Sequence, residues 1–168
     1  DANVALTAEQ AAYCHAHGVG IEAELGEVGG KDGVHAPGVR TDPTEAAEFV
    51  AATGVDALAV AVGSSHAMTS RDAKLDLELI SAIRDAVPVP LVLHGSSGVA
   101  DENLTKAVEA GMTKVNISTH LNHAFTDTVR EVLAANPEMV DTRKYLGAGR
   151  EAVRAEVTRL LGVLLAAN

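Results

Sequence analysis

The sequence predicts an α/β fold built on a parallel sheet. Two observations carry this. Short apolar runs alternate in strict order with longer helix-patterned segments, giving an opening helix, four strand–helix units and one further helix. That order suits a parallel sheet with right-handed crossovers. The composition agrees: 47% of the residues are hydrophobic but only 2% are aromatic, with no Trp. Alanine, valine and leucine must therefore fill the core, as in helices wrapped on a buried sheet. The 168 residues can bury a sizeable core. With no linker or low-complexity stretch, residues 1–168 read as one unit. A doubly wound sheet and a (β/α)8 barrel share this alternation, and local pattern leaves both open.

The elements follow in order. Thr7 to His17 reads as a helix, with Thr7 as N-cap and Gly18 as stop. Val19 to Leu25 reads as a strand. Gly26 to Arg40 is a Gly-rich polar loop of functional length. Asp42-Pro43-Thr44-Glu45 starts a helix with an N-cap, a proline at the first position and a glutamate that reaches back; it stops near Gly54. Ala57 to Val62 is a continuous apolar run, expected of a strand buried on both faces. Asp76 to Val87 is a helix ended by Pro88 and Pro90. Leu91 to His94 is a strand, followed by the loop Gly95-Ser96-Ser97-Gly98. Asp101 to Ala110 is a helix, Lys114 to Ile117 a strand, and Thr119 to Ala135 and Gly147 to Ala166 are helices separated by a turn at Asn136-Pro137.

Composition excludes several roles. The formal net charge is −10, and no basic stripe offers a nucleic-acid footprint. No run approaches the ~18 apolar residues of a membrane span, and no signal-like segment opens the chain. The single cysteine, Cys14, allows no internal disulfide and fits a cytoplasmic setting.

The polar residues that stand out lie at predicted strand C-termini, the active face of open α/β sheets and barrels alike. Glu22 and Glu24 are two apart and share a strand face. His66 follows the second strand after Gly63-Ser64-Ser65, and His94 ends the third. Two histidines on neighbouring strands can share a zinc ion, with Glu24 as a third ligand. Each also admits a structural role, Glu24 as a salt-bridged carboxylate. Gly95-Ser96-Ser97-Gly98 offers N–H groups and hydroxyls to an anion, and Asn116-Ile117-Ser118-Thr119 sits where a strand becomes a helix, a phosphate-binding position. A tight turn and an ordinary N-cap explain the same residues. Cys14-His15-Ala16-His17 reads as exposed helix, the charges at Arg130–Glu131 and Arg150–Glu156 as solvated faces, and Leu160 to Leu165 as a packing face.

Five segments together resemble the zinc-dependent class II ketose-bisphosphate aldolases. They are Ile21-Glu22-Ala23-Glu24-Leu25-Gly26 with Gly29-Gly30, Ala61-Val62-Gly63-Ser64-Ser65-His66, Leu91-Val92-Leu93-His94-Gly95-Ser96-Ser97-Gly98, Lys114-Val115-Asn116-Ile117-Ser118-Thr119, and Asp141-Thr142-Arg143-Lys144-Tyr145-Leu146. The resemblance implies a (β/α)8 TIM barrel of which this chain holds strands five to eight and the C-terminal helices. It implies reversible aldol cleavage of a fructose or tagatose 1,6-bisphosphate to dihydroxyacetone phosphate and glyceraldehyde 3-phosphate, in a homo-oligomer, dimer or tetramer. His66 and His94 would hold Zn²⁺, with Glu24 close to an alternative metal position. Ala67, Gly95, Ser96, Ser97, Asn116, Ile117, Ser118 and Thr119 would hold substrate phosphate, with backbone oxygens near Ser65, Gly95 and Ser97 available to a monovalent cation. The family's H-x-D-H segment, source of the third histidine and the acid/base aspartate, is not among these residues, so the catalytic acid/base is expected upstream and this chain is not expected to be active alone. Lys114 reads as exposed at its strand's start. Ala67, where the family usually has glycine, and the shortened loop Gly29-Gly30-Lys31-Asp32-Gly33 keep two alternatives open: a non-catalytic phosphosugar-binding relative, or another sugar-phosphate lyase or isomerase on the same barrel.

Overall fold

The computed structural model describes residues 2–26, 40–66 and 70–166. The body of the predicted loop between Gly26 and Arg40, and with it Gly29 to Gly33, lies outside them, as does Ala67. The elements run α1 (Ala2–Ala16), β1 (Glu22–Leu25), α2 (Pro43–Thr53), β2 (Ala57–Val60), α3 (Leu77–Ala86), β3 (Leu91–Leu93), a single 3₁₀ turn (Ser96–Gly98), α4 (Asp101–Ala110), β4 (Met112–Val115), α5 (Thr119–Ala135) and α6 (Thr142–Leu165). The four strands form one parallel sheet in the order β1-β2-β3-β4.

Local chemistry sets most boundaries. Asp42 caps α2, accepting from the N–H groups of Thr44 and Glu45, and Gly54 closes the helix at φ 68°. Asp76 caps α3 by accepting from Leu79. α1 begins before Thr7, at Ala2. β1 begins only at Glu22, because Asp56 Oδ2 takes the Ile21 N–H at 2.7 Å in place of a ladder partner. α6 starts at Thr142, five residues ahead of the predicted Gly147, with Asp141 as its cap. Gly147 and Gly149 do not break it. At Gly149 a Cβ would come within 2.7 Å of the Phe125 ring, so this glycine lets α5 and α6 pack closely.

The sheet has two chemically different faces. Leu58, Val60, Val62, Leu91 and Leu93 point into the main core with Ile80 and Ile83 of α3 and Leu104 of α4, and Ala23 and Leu25 pack against it. Glu22 and Glu24 alternate with those two and take the opposite face, opposite Ala57 and Ala59 in the ladder. Where β3 meets β4 the register slips: Leu91 pairs with Met112, but Val92 pairs with Lys114. Thr113 is the extra residue of a bulge. Lys114 thereby faces with Val92, and Met112 and Val115 keep to the core side.

The sheet is strongly curved. Three strand spacings put β1 and β4 about 14 Å apart along a flat sheet, yet Lys114 Nζ on β4 lies 2.7 Å from Glu22 Oε2 on β1. Both side chains lean across the same face of the sheet, as on the concave side of part of a (β/α)8 barrel. Thr41 holds one rim: its buried hydroxyl donates to Leu25 O and accepts from Ala61 N–H, each at 2.8 Å, joining the ends of β1 and β2.

Candidate active site

The concave face gathers its polar side chains at the strand C-termini. His94 follows β3 directly and lies between two carboxylates. Its Nδ1 is 2.5 Å from Glu24 Oε2 and its Nε2 is 3.0 Å from Glu22 Oε1. Each contact needs a hydrogen on the ring, since a carboxylate only accepts. The His66 ring lies beside that of His94, with centroids 5.9 Å apart. Glu24, His66 and His94 each offer a ligand atom within 4.8 Å of the others. Two imidazoles and a carboxylate match the donor set zinc uses in catalytic sites, where three protein ligands leave a position open. The residues thus fit a zinc ion, which these three side chains would hold.

Glu22 sits behind this group. Burial pushes its carboxyl pKa up, but the hydrogen bonds from Lys114 and His94 outweigh that and hold it below 4.5. Lys114 is the third residue of β4, not its start, and although half exposed it is engaged across the sheet. The expected exposure stands, and the expected place at the strand's start does not.

The two loops expected to hold phosphate lie next to the metal group and to each other. Gly95 takes φ +64°, and a Cβ there would stand 2.6–2.9 Å from the Ser65 backbone. The loop carrying His66 therefore rests on the loop that follows His94. Ser96 is 1% exposed, and its hydroxyl donates to the Asn116 carbonyl. Its side chain ties the two loops together and does not face solvent. Asn116 N–H donates to Leu93 O at 3.0 Å, so its backbone is fixed on both sides and its side chain is exposed. Ile117 packs on the core, which leaves only its backbone for a ligand. Ser118 is exposed and precedes α5 without making a side-chain cap, and the first turn of α5 from Thr119 has no acidic residue. Ser97 Oγ accepts the His120 N–H at 3.2 Å. The serine loop thus caps one N–H at the positive end of α5 and lies directly beside the others.

Sequence reasoning missed the brace beneath this end of α5. His120 Nε2 is 2.7 Å from Glu156 Oε1 on α6, and Arg159 joins Glu156 at 2.6 Å and also pairs with Asp101. Arg71 closes the chain on Asp101 at 2.5 Å and donates to Val99 O. Glu156 is therefore not on a solvated face, as its charge run suggested. By contrast His15 pairs with Asp56 and His17 with Tyr13 O, so the Cys14–His17 run forms no metal group.

Asp101 makes this brace acid-sensitive. Burial raises its pKa, but Arg159 and Arg71 more than offset that and hold it below 3.8. A carboxyl depressed on folding stabilises the fold fully above its unfolded value and loses that contribution as pH falls through the folded one. The melting temperature of Asp101→Asn is expected to lie below wild type at neutral pH and to converge with it below pH 3.8 in a series of thermal melts.

Among the described residues, no helix is long and apolar enough to cross a membrane. Comparison with known proteins agrees with the geometry. The sequence model of the family "Fructose-bisphosphate aldolase class-II" matches residues 1–168. A fructose-bisphosphate aldolase of Geobacillus stearothermophilus is 45% identical over 92% of this chain and 55% of its own length. The YdjI aldolase of Escherichia coli K12 superposes with a TM-score of 0.77 at 35% identity, over 96% of this chain and 54% of that one. Fructose-bisphosphate aldolase of Campylobacter jejuni gives a TM-score of 0.77 at 25% identity, over 96% and 55%. The chain spans a little over half the length of these relatives, and its four strands are part of the barrel they share. A concave face carrying Glu24, His66 and His94, together with a match along its whole length, places this chain in the class II fructose-bisphosphate aldolase family.

Proposed function

We propose that the full-length protein catalyses zinc-dependent, reversible aldol cleavage of a ketose 1,6-bisphosphate, fructose or tagatose, to dihydroxyacetone phosphate and glyceraldehyde 3-phosphate. The observation that carries this is the convergence of Glu24, His66 and His94, with the serine loop lying against the N-terminus of α5. On this reading the three side chains hold zinc, which supplies a Lewis acid to polarise the ketone. The chain's own residues do the positioning. The N–H groups of the serine loop around Gly95 and Ser97, those of Asn116 to Thr119, and the residues at Ala67 bind the phosphate of the ketose end. Anchoring that phosphate fixes the adjoining carbonyl at the metal group and lowers the entropic cost of reaction. The acid/base aspartate is expected from the H-x-D-H segment elsewhere in the full-length protein.

Chelator treatment tests this. Removing zinc from the full-length protein is expected to abolish cleavage of both bisphosphates within the assay's background, and added zinc to restore it. Turnover that survives complete zinc removal would sink the metal mechanism. Zinc binding without turnover of either bisphosphate would favour the non-catalytic reading instead.

A further inference from the structure

We infer that Glu22 is a positioning residue for the metal group: anchored by Lys114, it accepts the Nε2 hydrogen of His94 and so presents Nδ1 to the metal. This rests on the zinc reading given above. The two ring nitrogens of His94 point to different carboxylates, Nδ1 to Glu24 at 2.5 Å and Nε2 to Glu22 at 3.0 Å. One ion cannot use both nitrogens of one ring. Glu24 belongs to the compact donor group and Glu22 does not, so Nδ1 is the metal-facing nitrogen. Nε2–H then needs an acceptor, and Glu22 Oε1 is the one in place. A carboxylate on the far nitrogen of a ligating histidine fixes its tautomer and ring orientation.

Lys114 gives this arrangement its direction. Its ammonium takes Glu22 Oε2 at 2.7 Å, leaving Oε1 for the imidazole. With its side chain 55% exposed, Lys114 contributes little to stability through the ion pair itself. Its effect is to hold the glutamate in one rotamer across the concave face. The two donors contact different oxygens of Glu22, and glutamine would replace one of those acceptors with an NH2 that only donates.

The test is zinc affinity of the full-length protein, by competition with a chromophoric chelator, together with the ¹⁵N shifts of the His94 ring. Wild type is expected to bind zinc with His94 protonated at Nε2. Glu22→Gln is expected to bind zinc roughly 10–100-fold more weakly, with the His94 tautomer no longer single. The double variant Glu22→Leu/Lys114→Met removes both charges together. Affinity that stays weak there supports positioning, and affinity that returns to wild type shows a merely structural ion pair and overturns the inference. Wild-type affinity and an unchanged tautomer in Glu22→Gln overturn it as well. Failure of the wild type itself to bind zinc is a different result: it defeats the metal reading, and the positioning role with it.

Discussion

His94→Ala in the full-length protein is expected to lose zinc under dialysis and, with it, cleavage of the bisphosphate. The ring stands at the centre of the polar group, within hydrogen-bond distance of Glu24 and Glu22 and beside His66. Changes to the groups that merely orient a metal ligand cost about 10–100-fold in affinity or activity, so removal of a direct ligand is expected to cost at least about 100-fold. The fold should survive. His94 follows β3 and is not part of the core that Leu91 and Leu93 complete. Metal content after dialysis, turnover and far-UV circular dichroism make the check. A variant that keeps one zinc per chain would remove His94 from the ligand set.

The second large effect is expected at Gly95. Alanine there meets two penalties at once. The backbone is in the left-handed region at φ +64°, which costs an L-residue about 1–2 kcal/mol. The new Cβ also falls 2.6–2.9 Å from the C, O and N atoms of Ser65, all of them backbone. Overpacking of this kind costs about 1–3 kcal/mol, so Gly95→Ala should destabilise by about 2–5 kcal/mol in all. Gly54 supplies the control. It has nearly the same φ, +68°, but open space around it. Gly54→Ala should therefore cost only the backbone part, about 1–2 kcal/mol. Equal losses at the two sites in denaturant melts would show that the contact with Ser65 carries no weight. Gly95→Ala should also weaken zinc, because His94 precedes the contact and His66 follows it, so one displacement moves both rings.

Much of this was legible in the sequence because the relevant physics is local. The cap at Asp42, the proline behind it and the stop at Gly54 are read within a few residues, and all three stand where expected. The shared face of Glu22 and Glu24 follows from period two, and His94 follows from the end of an apolar run. What was not legible depends on closure over long separations. Lys114 and Glu22 are 92 residues apart and meet only because the sheet curls. His120 and Glu156 meet across the α5–α6 packing, which Gly149 permits by lacking a side chain. A charge run on a helix carries no sign of which members turn inward. The role of Ser96 was hidden for a related reason: a serine in a Gly/Ser loop advertises a hydroxyl for a ligand, but only the fold reveals that the hydroxyl is spent on Asn116 O.

The bulge at Thr113 acts as a frameshift in the strand's parity. Counted from Met112, an unbroken β4 would send Lys114 to the helix-covered side, a cation among Leu93 and its neighbours. The extra residue resets the count, so that positions 112 and 114 belong to opposite faces even though they are two apart. Any comparison or redesign of this strand must therefore be read in two frames, one before the bulge and one after it. Substitutions chosen by simple alternation would put charge in the core and grease in the site.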